Sequence, residues 1–576
     1  MDDAQSVFRA FSIQTCGGLK VGINPILKKL TPIEKEIFDL WKEVRPSTAY
    51  TQGLGEYAGK ILVPSEEKLT ELKKRLEGLN KKTRDRGHVK FLNSLFLEIE
   101  FYEPYRVPSD ATDGFFYHLV KEGINVEHMK SLASHTCLAL KQAGTWLARK
   151  KWSIEVRILT KQKIDGLRGI VNTIRSDTEN QSLKLELDKV LKAADDYLHA
   201  FPVEGIEEGD FTEVFPILQK HGGDVGHEAI YPKILKDQFD YPETAEEIEK
   251  KGLKWLKIWQ PELNETTRKL ATKYGVPSEV QKVREEITKR RSVPISQVLQ
   301  FVKKLRTLAQ KVFHKNIVRI TPKYDTRIIE TPPYLVNFIP SGAMSPLDQA
   351  TDKPFNLFFV TTDEKRSPAT SVPDLVQLIL HEEYGHCVNF SNSSVAFEAE
   401  PAPLDILDTY LSYPITDGIA FYRELEFVNL LKTLVKRRDL DADEKAFLKM
   451  LRGGEDDETM VLENEYVMLQ WRMVRFLRAV FDSRVNMGKQ SVADFVKWAS
   501  KETGISEKEI YSQTFFFLSN VGYAPCYSMA GEGIRELQEL AVKNGKRAID
   551  FNTYASSLGF PGRTIFEEKL RIFASK

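Results

Sequence analysis

Along most of the chain the apolar residues return every three or four positions. The stretch "SEEKLTELKKRLEGLNKK", 65–82, sets Leu69, Leu72 and Leu76 among charged residues, the pattern of a helix with one buried stripe. The same period predicts helices over about 126–150, 155–200, 244–272, 295–314, 403–435, 456–485, 490–519 and 526–545. Thr244 with Glu247 makes a capping box at the start of one of them. Between 315 and 362 the pattern changes: "NIVRITP", "YLVNFIP" and "FNLFFVTT" are short, β-rich and broken by Pro and Gly, which predicts a small sheet. The fold class expected is mainly α, a large helical body of two lobes with this sheet inserted. "FPVEGIEEGDF", 201–211, is the expected hinge, dividing a helical N-terminal lobe, 1–205, from a second unit, 206–576. No internal repeat or low-complexity tract interrupts the pattern.

Composition narrows the setting. Of 576 residues 42% are hydrophobic and 28% charged, enough to bury a substantial core. Lys+Arg and Asp+Glu both number 82, so there is no excess positive charge to hold a phosphate backbone and nucleic acid is not the expected partner. The first twenty residues carry acids where a secretion signal has bases, and no run of about 18 apolar residues occurs, so a cytoplasmic protein without a membrane span is expected. Cys16, Cys137, Cys387 and Cys526 are far apart, a spacing that suggests neither a disulfide framework nor a thiolate zinc knuckle.

Candidate chemistry gathers immediately after the predicted sheet. "LILHEEYGHCVNF", 378–390, places His381, Glu382, Glu383 and His386 in an apolar run that opens with Ser371, Pro373 and Asp374 as a helix start. Burying those four groups costs several kcal/mol unless each has a partner, and a divalent metal is one such partner. In a regular helix residues four apart differ by about 40° in direction and residues five apart by about 140°. His381 and His386 therefore converge only if the helix holds an extra residue in a wider turn, a π-bulge, with Gly385 suited to absorb it. The alternative is a core pairing of His386 with Glu382 and of His381 with a backbone carbonyl. A zinc site of this type needs a third protein ligand, often a carboxylate on a following helix. Asp405, Asp408, Asp417, Glu424 and Glu426 are available there.

Five motifs in order make a resemblance. "DGIAFYRE", 417–424, resembles the "EGWALYxE" helix of the family catalogued as domain of unknown function 885, and "HEEYGH" resembles its HExxPGH helix without the proline. "TAEEIEKKGLKWL" from Thr244, "TPPYLVNFIPSGAMSP" with "FNLFFVTT", and "APCYSMAGEGIREL" from Ala524 follow that family's order, over roughly 225–576. The resemblance implies a helical zincin-like metallopeptidase related to the thermostable-carboxypeptidase and oligopeptidase families. The five-residue histidine spacing is similar to that of dipeptidyl peptidase III. It further implies zinc held by His381, His386 and Asp417, with Glu424 supporting a ligand and Glu382 as general base. Asp417 is one methylene shorter than the family's glutamate, so either its helix lies closer or Glu424, with the longer reach, is the ligand. Tyr527 stands where the family has its tyrosine, a donor for an oxyanion; Tyr523 reads as a packing residue. Phe355 and Asn356 are placed on an edge strand that could align peptide, although the apolar character of "FNLFFV" is equally explained by burial in the sheet. Arg535 or Arg423 would hold a substrate carboxylate. "HGGDVGHEAIY", 221–231, lacks a second histidine at a zincin spacing from His227 and reads as a loop and helix start, while Cys387 and Cys526 read as core residues. The function expected is a zinc-dependent peptidase that trims short peptides in the manner of a carboxypeptidase or dipeptidase. The alternative is a catalytically silent helical scaffold or peptide-binding protein.

Overall fold

The computed structural model describes residues 22–207, 209–332, 336, 339, 341–363 and 370–576. Cys16, the N-terminal segment and all of "YLVNFIP" except Val336 and Ile339 lie outside the described residues. The chain is mainly α, 70% helical. Two 30-residue helices, Ala245–Tyr274 and Asp457–Asn486, pack along each other through the middle of the molecule. The first begins at the Thr244–Glu247 capping box and ends at Gly275, whose left-handed backbone a side chain would disfavour. Among the described residues no helix is long and apolar enough to cross a membrane.

The sheet has strands β1 (Thr326–Glu330), β2 (Gly342–Leu347) and β3 (Phe355–Val360) in the order β1-β3-β2. β1 runs parallel to β3, β2 antiparallel, and Phe358 lies opposite both Ile328 and Met344. Alternation along β3 divides the interior. Phe355, Leu357 and Phe359 join the core of the N-terminal helices, and Phe358 and Val360 join the core that contains the histidine helix.

Three expectations change. "NIVRITP" is not a strand. Its backbone N–H groups are taken by side chains instead, Arg319 by Thr553, Ile320 by His314 and Thr321 by Asn392, which leaves Val318 and Ile320 free to fill the core as an irregular segment. The span 155–200 is two helices, Ile154–Asp177 and Gln181–His199, separated where the Asn180 side chain caps the second. The strand expected to offer a free edge is central: β3 is paired on both sides, Phe355 and Asn356 are buried, and the Asn356 amide donates to Ser391 Oγ at 2.9 Å. Neither residue can meet a peptide. Among the described residues the strand open on its outer side next to the histidine helix is β2.

Candidate metal centre

Ser371 caps the helix Val372–Ile379, which passes without a break into a π-helical segment, Leu380–Cys387, and then into Val388–Ser394. The Val388 N–H donates to the Glu383 carbonyl five residues back, the wide turn that a five-residue histidine spacing requires. Both imidazoles consequently leave the helix on one side. Their Nε2 atoms face each other at 3.3 Å, with rings perpendicular. The core pairings weighed as the alternative, His386 with Glu382 and His381 with a carbonyl, do not form.

The helix Ser412–Leu434 brings the third group. Asp417 Oδ1 lies 3.8 Å from His381 Nε2 and 3.6 Å from His386 Nε2. It is buried and accepts no hydrogen bond. The point equidistant from the three atoms is about 2.1 Å from each, within the zinc–nitrogen and zinc–oxygen range of ~2.0–2.2 Å. Two imidazole nitrogens and one carboxylate oxygen at these separations fit a divalent ion.

Close helix approach explains how an aspartate reaches. A β-carbon on Gly385 would collide with Cα and Cβ of Ala420, so this glycine serves contact between the histidine and carboxylate helices. On the other side of the carboxylate helix, a β-carbon on Gly418 would stand 2.7 Å from Ala530 Cβ. The two glycines draw three elements together and offset the missing methylene.

Glu424, two turns beyond Asp417, accepts from His381 Nδ1 at 2.9 Å and from Arg475. A proton on Nδ1 leaves the Nε2 lone pair directed at the ion position. Burial pulls both histidines below their usual pKa, His386 strongly, with the neighbouring imidazole and the Arg475 charge adding to the effect. Neutral imidazole is the ligating form. Burial also pushes Asp417 up to about 7, against the Tyr523 hydrogen bond and the Arg475 and Arg478 charges.

Glu382 projects beside the pair toward β2. Burial first, then the nearby Asp417 charge, push its carboxyl up to about 8, opposed by a hydrogen bond from the Met344 backbone. Glu383 points the other way and is consumed by Arg306 at 2.6 Å and the Tyr324 hydroxyl at 2.8 Å.

A second π-helical turn, Cys526–Ala530, carries Tyr527 against His381, the ring centroids 6.0 Å apart. The Tyr523 hydroxyl donates to Asp417 Oδ2 at 3.0 Å and lies 3.1 Å from the Tyr527 hydroxyl. Since Tyr523 spends its proton on the carboxylate, Tyr527 is the donor of that pair. Tyr523, read from sequence as packing, thus touches a ligand candidate directly.

Arg535 and Arg423 do not enter the site. Arg535 is held by Glu532 and Glu539 on its own helix. Arg423 is buried, bonded to Glu426 and the Asn552 carbonyl. The arginines beside the site are instead Arg475 and Arg478, whose guanidinium carbons lie 5.3 and 5.6 Å from the Tyr527 ring centre. Their signal was present in "WRMVRFLR", where Arg472, Arg475 and Arg478 recur at three-residue steps in an apolar helix.

A cavity of about 270 Å³ adjoins this region. Arg45, Glu98, Asp110 and Asp113 of the N-terminal helices line it together with Ser345 and Pro346 of β2 and with Tyr413. Tyr413 packs edge-on against Tyr523 at 5.1 Å.

No protein-family model matches the chain, and no curated protein matches it. Two solved structures share its fold. One is "the putative lipoprotein from Colwellia psychrerythraea", 13% identical, with a TM-score of 0.61 over 94% of this chain and 99% of that one. The other is "a putative lipoprotein of unknown function from Shewanella oneidensis", 14% identical, with a TM-score of 0.64 over 94% and 98%. At these identities the likeness is one of fold.

Proposed function

We propose that this protein is a zinc-dependent peptidase acting on short peptides. The observation that carries the reading is the triangle of His381 Nε2, His386 Nε2 and Asp417 Oδ1, each 3.3–3.8 Å from the others, in which Asp417 Oδ1 accepts no hydrogen bond and the two imidazole nitrogens meet only each other and that oxygen. Three protein ligands leave one coordination position free, the arrangement of catalytic rather than structural zinc. The motif resemblance over roughly 225–576 supports the same reading.

A zinc ion held there supplies Lewis acidity to a water molecule and to a peptide carbonyl. The protein's own groups do the rest. Glu382, adjacent in sequence to a ligand and projecting beside the histidine pair, takes the water's proton and returns it to the leaving amine. Tyr527, by turning its hydroxyl from Tyr523, donates to the oxyanion. Glu424 fixes the His381 tautomer. The outer edge of β2, rather than β3, offers backbone groups to an extended substrate.

The test is metal analysis of protein purified without added metal, alongside hydrolysis of short unblocked peptides. Near-stoichiometric zinc with turnover is expected. Glu382→Gln should keep the zinc and lose at least about 100-fold in turnover, since general-base catalysis contributes ~10²–10⁴. A metal-free protein that hydrolyses nothing would sink the reading and leave the silent scaffold.

A further inference from the structure

Three arginines follow one another along the helix Asp457–Asn486, Arg472 and Arg475 buried and Arg478 partly exposed, and the first two have carboxylate partners. Arg472 bonds Glu532, and Arg475 bonds Glu424. Among the described residues Arg478 has no carboxylate within ion-pair distance. Its Nε donates to the Gln513 carbonyl at 2.8 Å, and Nη2 donates to the same residue's side chain. Its flat face lies 4.6 Å from the ring centre of Phe517 and 5.6 Å from that of Tyr527. Burial, with the Arg475 charge adding to it, pulls its pKa down to about 10, against Tyr527, Tyr523 and Asp417. A part-buried guanidinium held on one edge is completed by an anion on the free edge of its fork, because that geometry recovers desolvation cost through paired hydrogen bonds. Gln513 holds one edge of the fork and leaves Nη1 without a partner in the protein.

The position of this cation relative to the candidate metal centre gives it a use. Tyr527 stands between them: its ring is 6.0 Å from that of His381 on one side and 5.6 Å from the Arg478 guanidinium carbon on the other. Extended peptide advances about 3.3–3.6 Å per residue, so up to about three residues span from a carbonyl at the ion position past Tyr527 to a carboxylate at Arg478. Arg535 and Arg423, the arginines that the sequence offered for this task, are committed to Glu532, Glu539 and Glu426.

We propose that Arg478 is a specificity-determining residue that binds the C-terminal carboxylate of a peptide, so that cleavage falls within about three residues of the free end. The inference rests on the peptidase reading for its substrate class and adds to it the direction of attack. Arg478 fixes the chain by charge-assisted hydrogen bonds to the terminal carboxylate and touches no reacting atom. A peptide with an amidated C-terminus presents no charge there and leaves Arg478 uncompensated in the complex.

The experiment measures equilibrium binding to full-length Glu382→Gln protein, which holds substrate without turning it over. The probes are a short apolar peptide with a free C-terminus, the same peptide amidated, and an amidated peptide ending in glutamate. The free acid is expected to bind at least about 10-fold more tightly than the apolar amide, as loss of one charge-assisted pair implies. Adding Arg478→Gln should bring the acid to amide ratio to near one, and Arg478→Lys, which keeps the charge and guards against misfolding of the first variant, should restore part of it. A ratio of one in the parent, a ratio unchanged by Arg478→Gln, or no binding of any peptide overturns the proposal. Tightest binding of the glutamate-ending amide also overturns it, since the site would then read an acidic side chain. Zinc content measured on the same samples keeps the two ideas apart. Zinc with cleavage but no discrimination removes Arg478 alone, whereas discrimination without zinc or cleavage removes the peptidase reading alone.

Discussion

His227 and the His381–His386 pair are all withdrawn from solvent, and all lie near carboxylates, yet their ring nitrogens meet opposite surroundings. His227 Nε2 faces Glu103 Oε1 at 3.0 Å, and Nδ1 faces Asn486 Oδ1 at 2.6 Å. The Asn486 amide is fixed the right way round because its Nδ2 donates to Asp482. Both His227 nitrogens therefore meet acceptors, and the doubly protonated ring is the form that satisfies both. Burial works against that charge, but Glu103 and the two hydrogen bonds outweigh it and raise the pKa. In the His381–His386 pair two nitrogens face each other and a partnerless carboxylate oxygen, and the pKa values fall. A histidine whose nitrogens all have acceptors is finished as a core residue. A pair that turns two ring nitrogens and a carboxylate oxygen toward one point has the donor set of a cation site.

The largest expected effects test that contrast directly. Asp417→Ala removes one of three candidate ligands and should weaken zinc binding by more than the about 10–100-fold typical of a supporting residue, with little loss of stability in metal-free protein. His227→Gln should leave zinc content untouched and cost ~3–5 kcal/mol in urea unfolding, because Glu103 stays buried without its counter-charge. Zinc lost from His227→Gln, or retained by Asp417→Ala against a chelator, would reverse the assignment of the two clusters.

Much of the contrast was readable from the sequence. The histidine spacing of five demanded a wide turn, and a π-helix stands there; the "DGIAFYRE" resemblance pointed to Asp417 and Glu424, and Asp417 Oδ1 faces both histidines. The sequence of "HGGDVGHEAIY" could not show what satisfies His227, since Glu103 and Asn486 lie 124 and 259 residues away. Periodicity located most helices, because burial of one stripe is a local property. It misplaced β1, where "NIVRITP" has strand composition but its N–H groups go to side chains more than 70 residues distant in two of three cases. Edge and centre are likewise properties of pairing, so "FNLFFV" was read as a free edge when β2 covers it. Tyr523 reads as packing and Arg478 goes unremarked for the same reason: neither stands out until the fold sets it beside Asp417 or Tyr527.

A smaller effect sharpens the pair's internal order. Glu424 touches no ion position; it accepts from His381 Nδ1 and is held by Arg475. Glu424→Gln keeps an acceptor of the same shape but removes the charge that balances Arg475. Zinc affinity should fall about 10–100-fold, measured by competition with a chelator, and less than in Asp417→Ala. A greater loss in Glu424→Gln than in Asp417→Ala would make Glu424 the ligand and Asp417 its support.

The smallest effect is a pH dependence confined to His227. Its folded pKa is raised above the unfolded value of about 6.5, so the protonated ring stabilises the fold fully below that pH. The contribution is lost as pH rises through the folded pKa. Between the two values the unfolding free energy should decline by up to ~1.4 kcal/mol per pH unit from this group. The difference between wild type and His227→Gln isolates it, because both proteins keep the His381, His386 and Asp417 cluster and the pH dependence of that cluster cancels. Asp482 titrates nearby, pushed up to about 7 by burial against hydrogen bonds from Tyr231 and the Gly522 backbone, and adds a slope of the same sign, because its raised carboxyl also holds in the fold a proton that the unfolded chain has lost. Repeating the comparison in an Asp482→Asn background removes that contribution. A stability difference that shrinks as pH rises above about 6.5 in both backgrounds marks His227 as a charged, fully satisfied core histidine. A flat difference would mean that the ring is neutral when folded, and the chemical distinction between the two clusters would then rest on geometry alone.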